Sequence, residues 1–277
     1  MSMAAAGAPR RLVLVGGGKM GGAMLEGWLK RGLSAASIVV LDPKPSDWLV
    51  DLRRRYGFAL NPDPAGLGDA GVLVLAIKPQ MLDAAAPVLA GLAGPETVVL
   101  SILAGKTLGD LAQRLPRARR LFRAMPNTPA AVGRGISGVA ASPEATPADW
   151  QKVNDLLEAI GRIIRLDSEA LIDAVTAVSG SGPAYVFHMV ECLAEAGRAA
   201  GLPEDVAMTL ARATIEGAGE LLYREPATTP AQLRINVTSP GGTTAAALEV
   251  LMAADGLAPL MTRAVAAARR RAGELSG

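Results

Sequence analysis

Cysteine and histidine are all but absent: the 277 residues hold one of each, Cys192 and His188. A single cysteine excludes an intramolecular disulfide framework, and the pair excludes any multi-histidine or multi-cysteine metal site. A Ser-His-Asp triad would have to be built on His188 itself. No charge-free apolar run reaches the roughly eighteen residues of a membrane span, so none is expected. Charge of one sign is also missing, since 28 basic residues face 26 acidic ones for a net charge of +2. No charge-driven partner is implied. Arg114, Arg117, Arg119, Arg120 and Arg123 cluster without interleaved aromatics. They read as a solvated helix end and strand start, not as a nucleic-acid surface. The opening MSMAAAGAPRR puts its basic pair after the small residues, the reverse of a signal peptide. These features lead us to expect a soluble, cytoplasmic protein with no metal, nucleic-acid or membrane partner.

Half of the residues are apolar, and 31 glycines and 19 prolines punctuate them. That suits an enzyme with many turns, large enough for two domains. The first apolar run, Arg11-Leu12-Val13-Leu14-Val15, stops at Gly16-Gly17-Gly18-Lys19-Met20-Gly21, and a helical stretch follows. A G-x-G-x-x-G between a strand and a helix is a dinucleotide-binding turn. Gly16 makes the tight turn, Gly18 admits a pyrophosphate to the backbone, and Gly21 lets helix pack on strand. The second strand, Ile38-Val39-Val40-Leu41, ends at Asp42, about 20 residues on, where a ribose hydroxyl is usually held. Asp42 is equally a turn former before Pro43, and Lys44 suits a 2′-phosphate.

Further strands are expected at 72–77, 97–102 and 121–124, with helices over 48–56 and 107–115. The first of these strands runs into Lys78-Pro79, and the last into Met125-Pro126-Asn127-Thr128-Pro129. Strand ends closing on such turns suggest one crevice along a doubly wound parallel sheet of Rossmann type. A last strand over 135–141, a helix over 146–160 and an edge strand over 163–166 complete an α/β domain, residues 1–168. Residues 169–277 carry little strand signal and read as an all-α domain, with helices over 171–178, 183–200, 203–223, 243–254 and 257–275. Helices this rich in alanine and leucine should bury themselves against a second copy. His188, one turn into an apolar helix, reads as a core or interface residue. Cys192 reads as buried packing, and Met24, Met189 and Met208 as core.

Two segments of the helical half stand apart. Thr238-Ser239-Pro240-Gly241-Gly242-Thr243-Thr244 is an extended polar run opening into the helical AAALEVL. The glycines leave bare N–H groups at a helix start, which suits a carboxylate or phosphate. Ser179-Gly180-Ser181-Gly182-Pro183 repeats the design, with proline at the first helical position. Each alone also reads as an ordinary helix start or helix connection. Together they would make a small, anion-receptive floor that includes Ser181.

The sequence resembles the pyrroline-5-carboxylate reductase family. The resemblance is carried by the glycine turn at 16–21, AIKPQ at 76–80, SILAG at 101–105 and RAMPNTP at 123–129. DAVTAVSGSGPAY at 173–185 and LRINVTSPGGTT at 233–244 complete it. It implies an N-terminal Rossmann-type domain, a C-terminal helical dimerisation domain that interlocks two chains, and a ring of dimers. The implied reaction is reduction of 1-pyrroline-5-carboxylate to L-proline with NADPH or NADH. Carried over by position, cofactor contacts fall at Gly18, Lys19, Met20, Ala76, Lys78, Pro79, Ala104 and Asn236, beside Gly16, Gly21 and Asp42 read above. Substrate contacts fall at Thr243 and Thr244, with Ser239 and Glu169.

That chemistry asks little of side chains: a protonated cyclic imine is already an electrophile, and the protein must position two rings and hold a carboxylate. The N–H groups from Gly241 and Gly242 to Thr244 suit the carboxylate, and the Thr244 hydroxyl is the catalytic candidate, set to meet the ring nitrogen. Two departures concern cofactor choice. Asp42-Pro43-Lys44 stands where phosphate-binding members often carry a small hydroxyl or basic group. An asparagine that assists the 2′-phosphate in some members has no clear counterpart in Asn61-Pro62-Asp63-Pro64. The balance favours NADH, with NADPH usable. A reductase of a related cyclic imine or of a hydroxy acid is the alternative, as is a non-catalytic NAD(P)-binding protein. A hydroxy-acid enzyme often uses a lysine donor on its helical domain, and no lysine follows Lys152.

Overall fold

The computed structural model describes residues 11–276, which form two compact units. The opening segment, read above against a signal peptide, lies almost wholly outside the described residues. One unit takes the chain up to Gly180 and regains it from Arg269, and the other comprises 181–268.

The first unit is built on an eight-stranded sheet. Four of its strands are buried at every position and apolar throughout but for Ser101: β1 (Leu12–Val15), β2 (Ile38–Leu41), β4 (Val72–Leu75) and β5 (Val98–Ser101). Such runs belong in a parallel sheet covered on both faces. The remaining strands are β3 (Ala59–Leu60), β6 (Arg120–Met125), β7 (Gly135–Ala141) and β8 (Gly161–Arg165), in the order β3-β2-β1-β4-β5-β6-β7-β8. Alternate residues feed two cores. Leu12, Leu14, Ile38, Val40, Val72 and Val74 face one side with Met24, Leu25 and Trp28 of α1 (Lys19–Lys30). Val13, Val15, Leu73, Leu75 and Val99 face the other with Leu82, Leu89 and Leu92 of α3 (Leu82–Leu92). Between them in sequence lies α2 (Asp47–Tyr56), capped by Ser46 Oγ, which accepts from Leu49 N–H.

The expectation of a wholly parallel sheet needs one correction: β7 runs antiparallel to β6. Residues 126–134 join the two strands, too few for a parallel crossover, which takes about a dozen or more. The chain therefore returns on itself. Helix α5 (Pro147–Leu157) then supplies a crossover, and β8 pairs parallel with β7. Capping boxes start α5 (Thr146 with Asp149) and α4 (Leu108–Arg114; Thr107 with Asp110).

The unit does not end at residue 168. Past a short turn, α6 (Ile172–Val175) packs Ile172 against Met125 and Ala140, and a π-helical turn, Thr176–Gly180, follows. The helix expected over 171–178 is thus a short α-helix between a 3-10 and a π turn.

The second unit holds α7 (Gly182–Ala199), α8 (Glu204–Arg224), α9 (Pro230–Asn236), α10 (Thr243–Leu251) and most of α11 (Leu257–Ser276). The run after Val237 is a turn between helices, not extended chain. The second unit's only buried hydrophobic side chains among the described residues are Ala194, Ala207 and Ala211. Phe187, Leu210, Val250 and Met252 are 63, 51, 72 and 59% exposed. Met24 is core, but Met189, Met208 and Cys192 are exposed, against expectation, and His188, read as core or interface, is exposed and so not core in this chain. They lie on helix faces that this chain does not itself cover.

Candidate active site

Strands β1, β4 and β5 lie side by side and parallel, so their carboxyl ends bring residues 16–21, 76–79 and 102–105 to one edge of the sheet. The strand order reverses about β1, the switch point where α/β sheets take ligands. The glycines have separate reasons. Gly16 has φ +98°, and a Cβ there would sit 2.6 Å from the Ala76 carbonyl oxygen. A Cβ on Gly21 would sit 2.1 Å from the Gly16 carbonyl, so only glycine lets α1 approach the turn. Gly18 faces open space and N-caps α1 without any side-chain cap. The first turn of α1 carries no acidic residue, and exposed Lys19 and part-buried Met20 open it. A bare helix start of this kind receives a phosphate.

Asp42 closes this edge beyond β2. Its Oδ2 accepts from Gly17 N–H at 2.7 Å and its Oδ1 from Lys44 N–H at 2.9 Å. The Asn61 side chain pairs with the backbone N–H and C=O of Asp42 at 2.8 and 2.7 Å. Asp42 thus stands between two clefts. One, of about 560 Å³, is lined by Gly17, Gly18, Lys19, Lys44, Ser46 and Trp48 among others. The other, about 520 Å³ and mostly apolar, is lined by Pro43, Asn61, Pro62, Ile77, Met81 and Val88 among others. Each falls in the size range of ligand pockets. Lys78 and Pro79 open the 3-10 turn after β4, and Ala104 is exposed after β5. Next to it Gly105 (φ +69°) lies under the Leu275 carbonyl, which a Cβ would meet at 2.5 Å.

Glu169 has a defined engagement. Its Oε1 accepts from Leu108 N–H at 2.8 Å, at the start of α4, and from Arg123 Nη1 at 2.9 Å. The Arg123 side chain is buried, so that member of the arginine cluster is not solvated as expected. Arg114, Arg117 and Arg120 pair with Asp83, Asp69 and Glu96 respectively.

In the helical unit, Ser239, Pro240, Gly241 and Gly242 make a tight turn. The Ser239 carbonyl accepts from Gly242 N–H at 3.1 Å. Gly241 has φ +68°, and a Cβ on Gly242 would meet Ser239 Oγ at 2.4 Å. Proline followed by a left-handed glycine is the type II arrangement. It delivers the chain to α10 with Gly242 at the N-cap and no side-chain cap, with exposed Thr243 and part-buried Thr244 in the first turn. Asn236 ends α9, its Oδ1 accepting from Gln232 Nε2 at 2.8 Å. Ser181 N-caps α7, and its hydroxyl caps nothing. The expected residues therefore form two groups: Gly16, Gly18, Lys19, Met20, Gly21, Asp42, Ala76, Lys78, Pro79 and Ala104 on the sheet edge, and Asn236 with residues 239–244 around the start of α10. Ser181 stands apart at the start of α7, and Glu169 remains in the α/β unit.

Sequence reasoning missed Ser46 and the Trp48 ring in the wall of the first cleft, and the bridging amide of Asn127, whose signal was its place between the two strand-breaking prolines of RAMPNTP. Asn61 was named only as part of a segment without a clear counterpart, not as the partner of Asp42. Among the described residues no helix is long and apolar enough to cross a membrane, and no group of three or more His, Cys, Asp or Glu residues is arranged to hold a metal ion.

Comparison with known proteins agrees with this architecture. A family model for pyrroline-5-carboxylate reductase dimerisation matches residues 169–275, and one for NADP oxidoreductase, coenzyme F420-dependent, matches 11–105. The chain is 36% identical to a pyrroline-5-carboxylate reductase of Pseudomonas aeruginosa, over 96% of this chain and 97% of that one. It is 40% identical to the Synechocystis protein of that name, over 96% and 98%. A solved pyrroline-5-carboxylate reductase from Coxiella burnetii superposes with a TM-score of 0.87 at 32% identity, covering 98% of this chain and 100% of that one. With an N-terminal dinucleotide fold, a C-terminal dimerisation region and relatives matched almost end to end, the chain belongs to the pyrroline-5-carboxylate reductase family of oxidoreductases.

Proposed function

We propose that the chain reduces 1-pyrroline-5-carboxylate to L-proline, the last step of proline biosynthesis, with residues 1–168 holding the cofactor and 169–277 serving substrate and dimerisation. The observation that carries the reading is the uncapped start of α10, which the Ser239–Gly242 turn leaves open to a carboxylate. The uncapped start of α1 and the open space at Gly18 fit a pyrophosphate, and the apolar cleft beside Asp42 fits an adenine. When bound, the reduced nicotinamide supplies the hydride. The N–H groups of Gly241, Thr243 and Thr244 hold the substrate carboxylate beside Ser239. The Gly242 N–H, read above as a further donor, is spent on the Ser239 carbonyl within the turn, and Ser181 contributes from the separate start of α7. The Thr244 hydroxyl meets the ring nitrogen: hydride arriving at the carbon of the protonated imine leaves a neutral secondary amine, and one further proton, drawn from water or relayed through the Thr244 hydroxyl, makes it the secondary ammonium of proline. Asn236 is assigned to the cofactor by the family resemblance of LRINVTSPGGTT, position by position. Glu169, engaged by Arg123 and the start of α4, serves by holding the loop that carries Ala104.

Asp42 favours NADH, and Lys44 and Ser46 in the neighbouring cleft keep NADPH usable. The exposed apolar faces of α7, α8 and α10 support a homodimer, assembling further into a ring of dimers in the cytoplasm. The test is oxidation of NADH and of NADPH with added pyrroline-5-carboxylate. Consumption with either supports the reading, and consumption with neither rejects it. Thr244→Val should lower kcat about tenfold or more while cofactor affinity holds. Full turnover in that variant would remove Thr244 from the mechanism.

A further inference from the structure

Asn127 follows β6 at the N-cap of the 3-10 turn Thr128–Val132, yet it makes no side-chain cap there. Its amide is used at longer range. Oδ1 accepts from Ile136 N–H at 2.9 Å, in β7, and Nδ2 donates to the Ser179 carbonyl at 3.1 Å. A backbone donor on one side and a backbone acceptor on the other can be matched at this length only by an amide. A carboxylate would set oxygen against the Ser179 carbonyl, and an apolar side chain would satisfy neither.

Ser179 belongs to the π-helical turn Thr176–Gly180, and turns of this kind concentrate at functional sites. Hydroxyls tie the turn back on itself: Thr176 Oγ1 donates to the Ile172 carbonyl and Ser179 Oγ to the Val175 carbonyl, at 2.8 and 3.0 Å. The Asn127 amide ties the turn to a different element, the segment that follows β6. One residue past the carbonyl it holds, at Gly180, the first compact unit gives way to the second, which begins with Ser181.

We infer that Asn127 is a positioning residue: it fixes the peptide from which the Ser179-Gly180-Ser181 turn departs, and so sets the substrate floor without touching the cofactor. The inference rests on the reading of that turn as part of the substrate site. Asn127→Asp keeps the acceptor for Ile136 and replaces only the donor to Ser179. It should raise the KM for pyrroline-5-carboxylate about tenfold or more, with the KM for NADH within about twofold of wild type. Asn127→Ala should show the same split at least as strongly. Wild-type constants in Asn127→Asp, an equal rise in both KM values, or a fall in kcat alone would overturn the inference. Should Asn127→Asp not fold, Asn127→Gln tests the same tie, since its longer amide cannot meet Ile136 and Ser179 together. Parity with wild type there would equally overturn it. An inactive wild type would reject the proposed function, whereas an active wild type with an unshifted Asn127→Asp would reject this inference alone.

Discussion

Cofactor choice can be tested with one atom's worth of change, Asp42→Asn. Each carboxylate oxygen of Asp42 accepts one backbone N–H, from Gly17 and Lys44, and each keeps room for a ribose hydroxyl. A 2′-phosphate would bring a charge of about −1.5 to −2 toward the same carboxylate. At about 6 Å and an effective dielectric of about 40, each unit charge costs about 1.4 kcal/mol, or roughly 2–3 kcal/mol for the phosphate. Physiological salt, with a screening length of about 8 Å, halves this to about 1–1.5 kcal/mol, close to tenfold. Asparagine removes the charge and keeps an acceptor for Gly17, but its NH2 then faces Lys44 N–H. The lost hydrogen bond costs about 1 kcal/mol and falls on both cofactors alike.

The expected outcome is therefore a ratio effect. The NADH-to-NADPH ratio of kcat/KM should fall about tenfold, while the NADH value itself falls about fivefold at most. Serine at this position is too short to reach Gly17, so Asp42→Ser should shift the ratio but also loosen the glycine turn for both cofactors. Initial rates with each cofactor at low and high ionic strength are the assay, and the shift should shrink with salt. A ratio unchanged by Asp42→Asn, or a wild type that strongly prefers NADPH, would refute the argument and give the dominant role to Lys44 or Ser46.

Acid stability offers a second test, at buried Asp149. Burial opposes its charge, but the Thr146 hydroxyl and N–H, Lys152 and Arg120 outweigh that and hold its carboxyl below the ordinary value of 3.8. A depressed carboxyl contributes stability above about pH 4 and loses it as pH falls through the folded value. Asp149→Asn should thus cost about 1–3 kcal/mol at neutral pH in urea melts, with the gap to wild type closing in acid. A gap that stays constant with pH would mean that charge is not the cause. Assembly is the third test: sedimentation at micromolar concentration should show dimers or larger, with a Tm that rises with protein concentration. Phe187→Asp and Leu210→Asp should shift the distribution toward monomer, and a monodisperse wild-type monomer would overturn the reading.

How much of this could be read from sequence depends on whether the cause was local. The four central strands were legible because each is a short apolar run bounded by glycine, proline or a charged residue. The glycine turn was legible because its requirements, at Gly16 and Gly21, repeat at fixed spacing. Helix α3 escaped notice because Pro87 stands inside it, where a proline removes a backbone bond. Strand β3 is two residues long, and α9 only seven, too short for periodicity to register. The direction of β7 was hidden because it depends on the length of the loop before it, not on its own residues. Engagements such as Asn127 with Ser179, 52 residues apart, or Glu169 with Arg123, 46 apart, leave no mark on local pattern.

The helical half shows a different limit. Periodicity says that a residue seeks burial, not which chain will bury it. Met189 and Met208 lie on apolar faces and were read as core, yet both are exposed. The small residues are the ones inside: Ala194, Ala207 and Ala211 are buried, and a Cβ on Gly197 would lie 3.3 Å from the Ala207 Cβ. A bundle meant to stand alone places its large side chains inward, because a buried leucine or phenylalanine contributes about 1.5–3 kcal/mol and an alanine far less. Here Phe187, Leu210, Leu221 and Leu260 point outward and alanine lines the interior. Close-packed alanine brings α7 and α8 together as a thin scaffold, and the large side chains on its outside are left uncovered by this chain, which is why the dimer is proposed and why Phe187→Asp and Leu210→Asp test it.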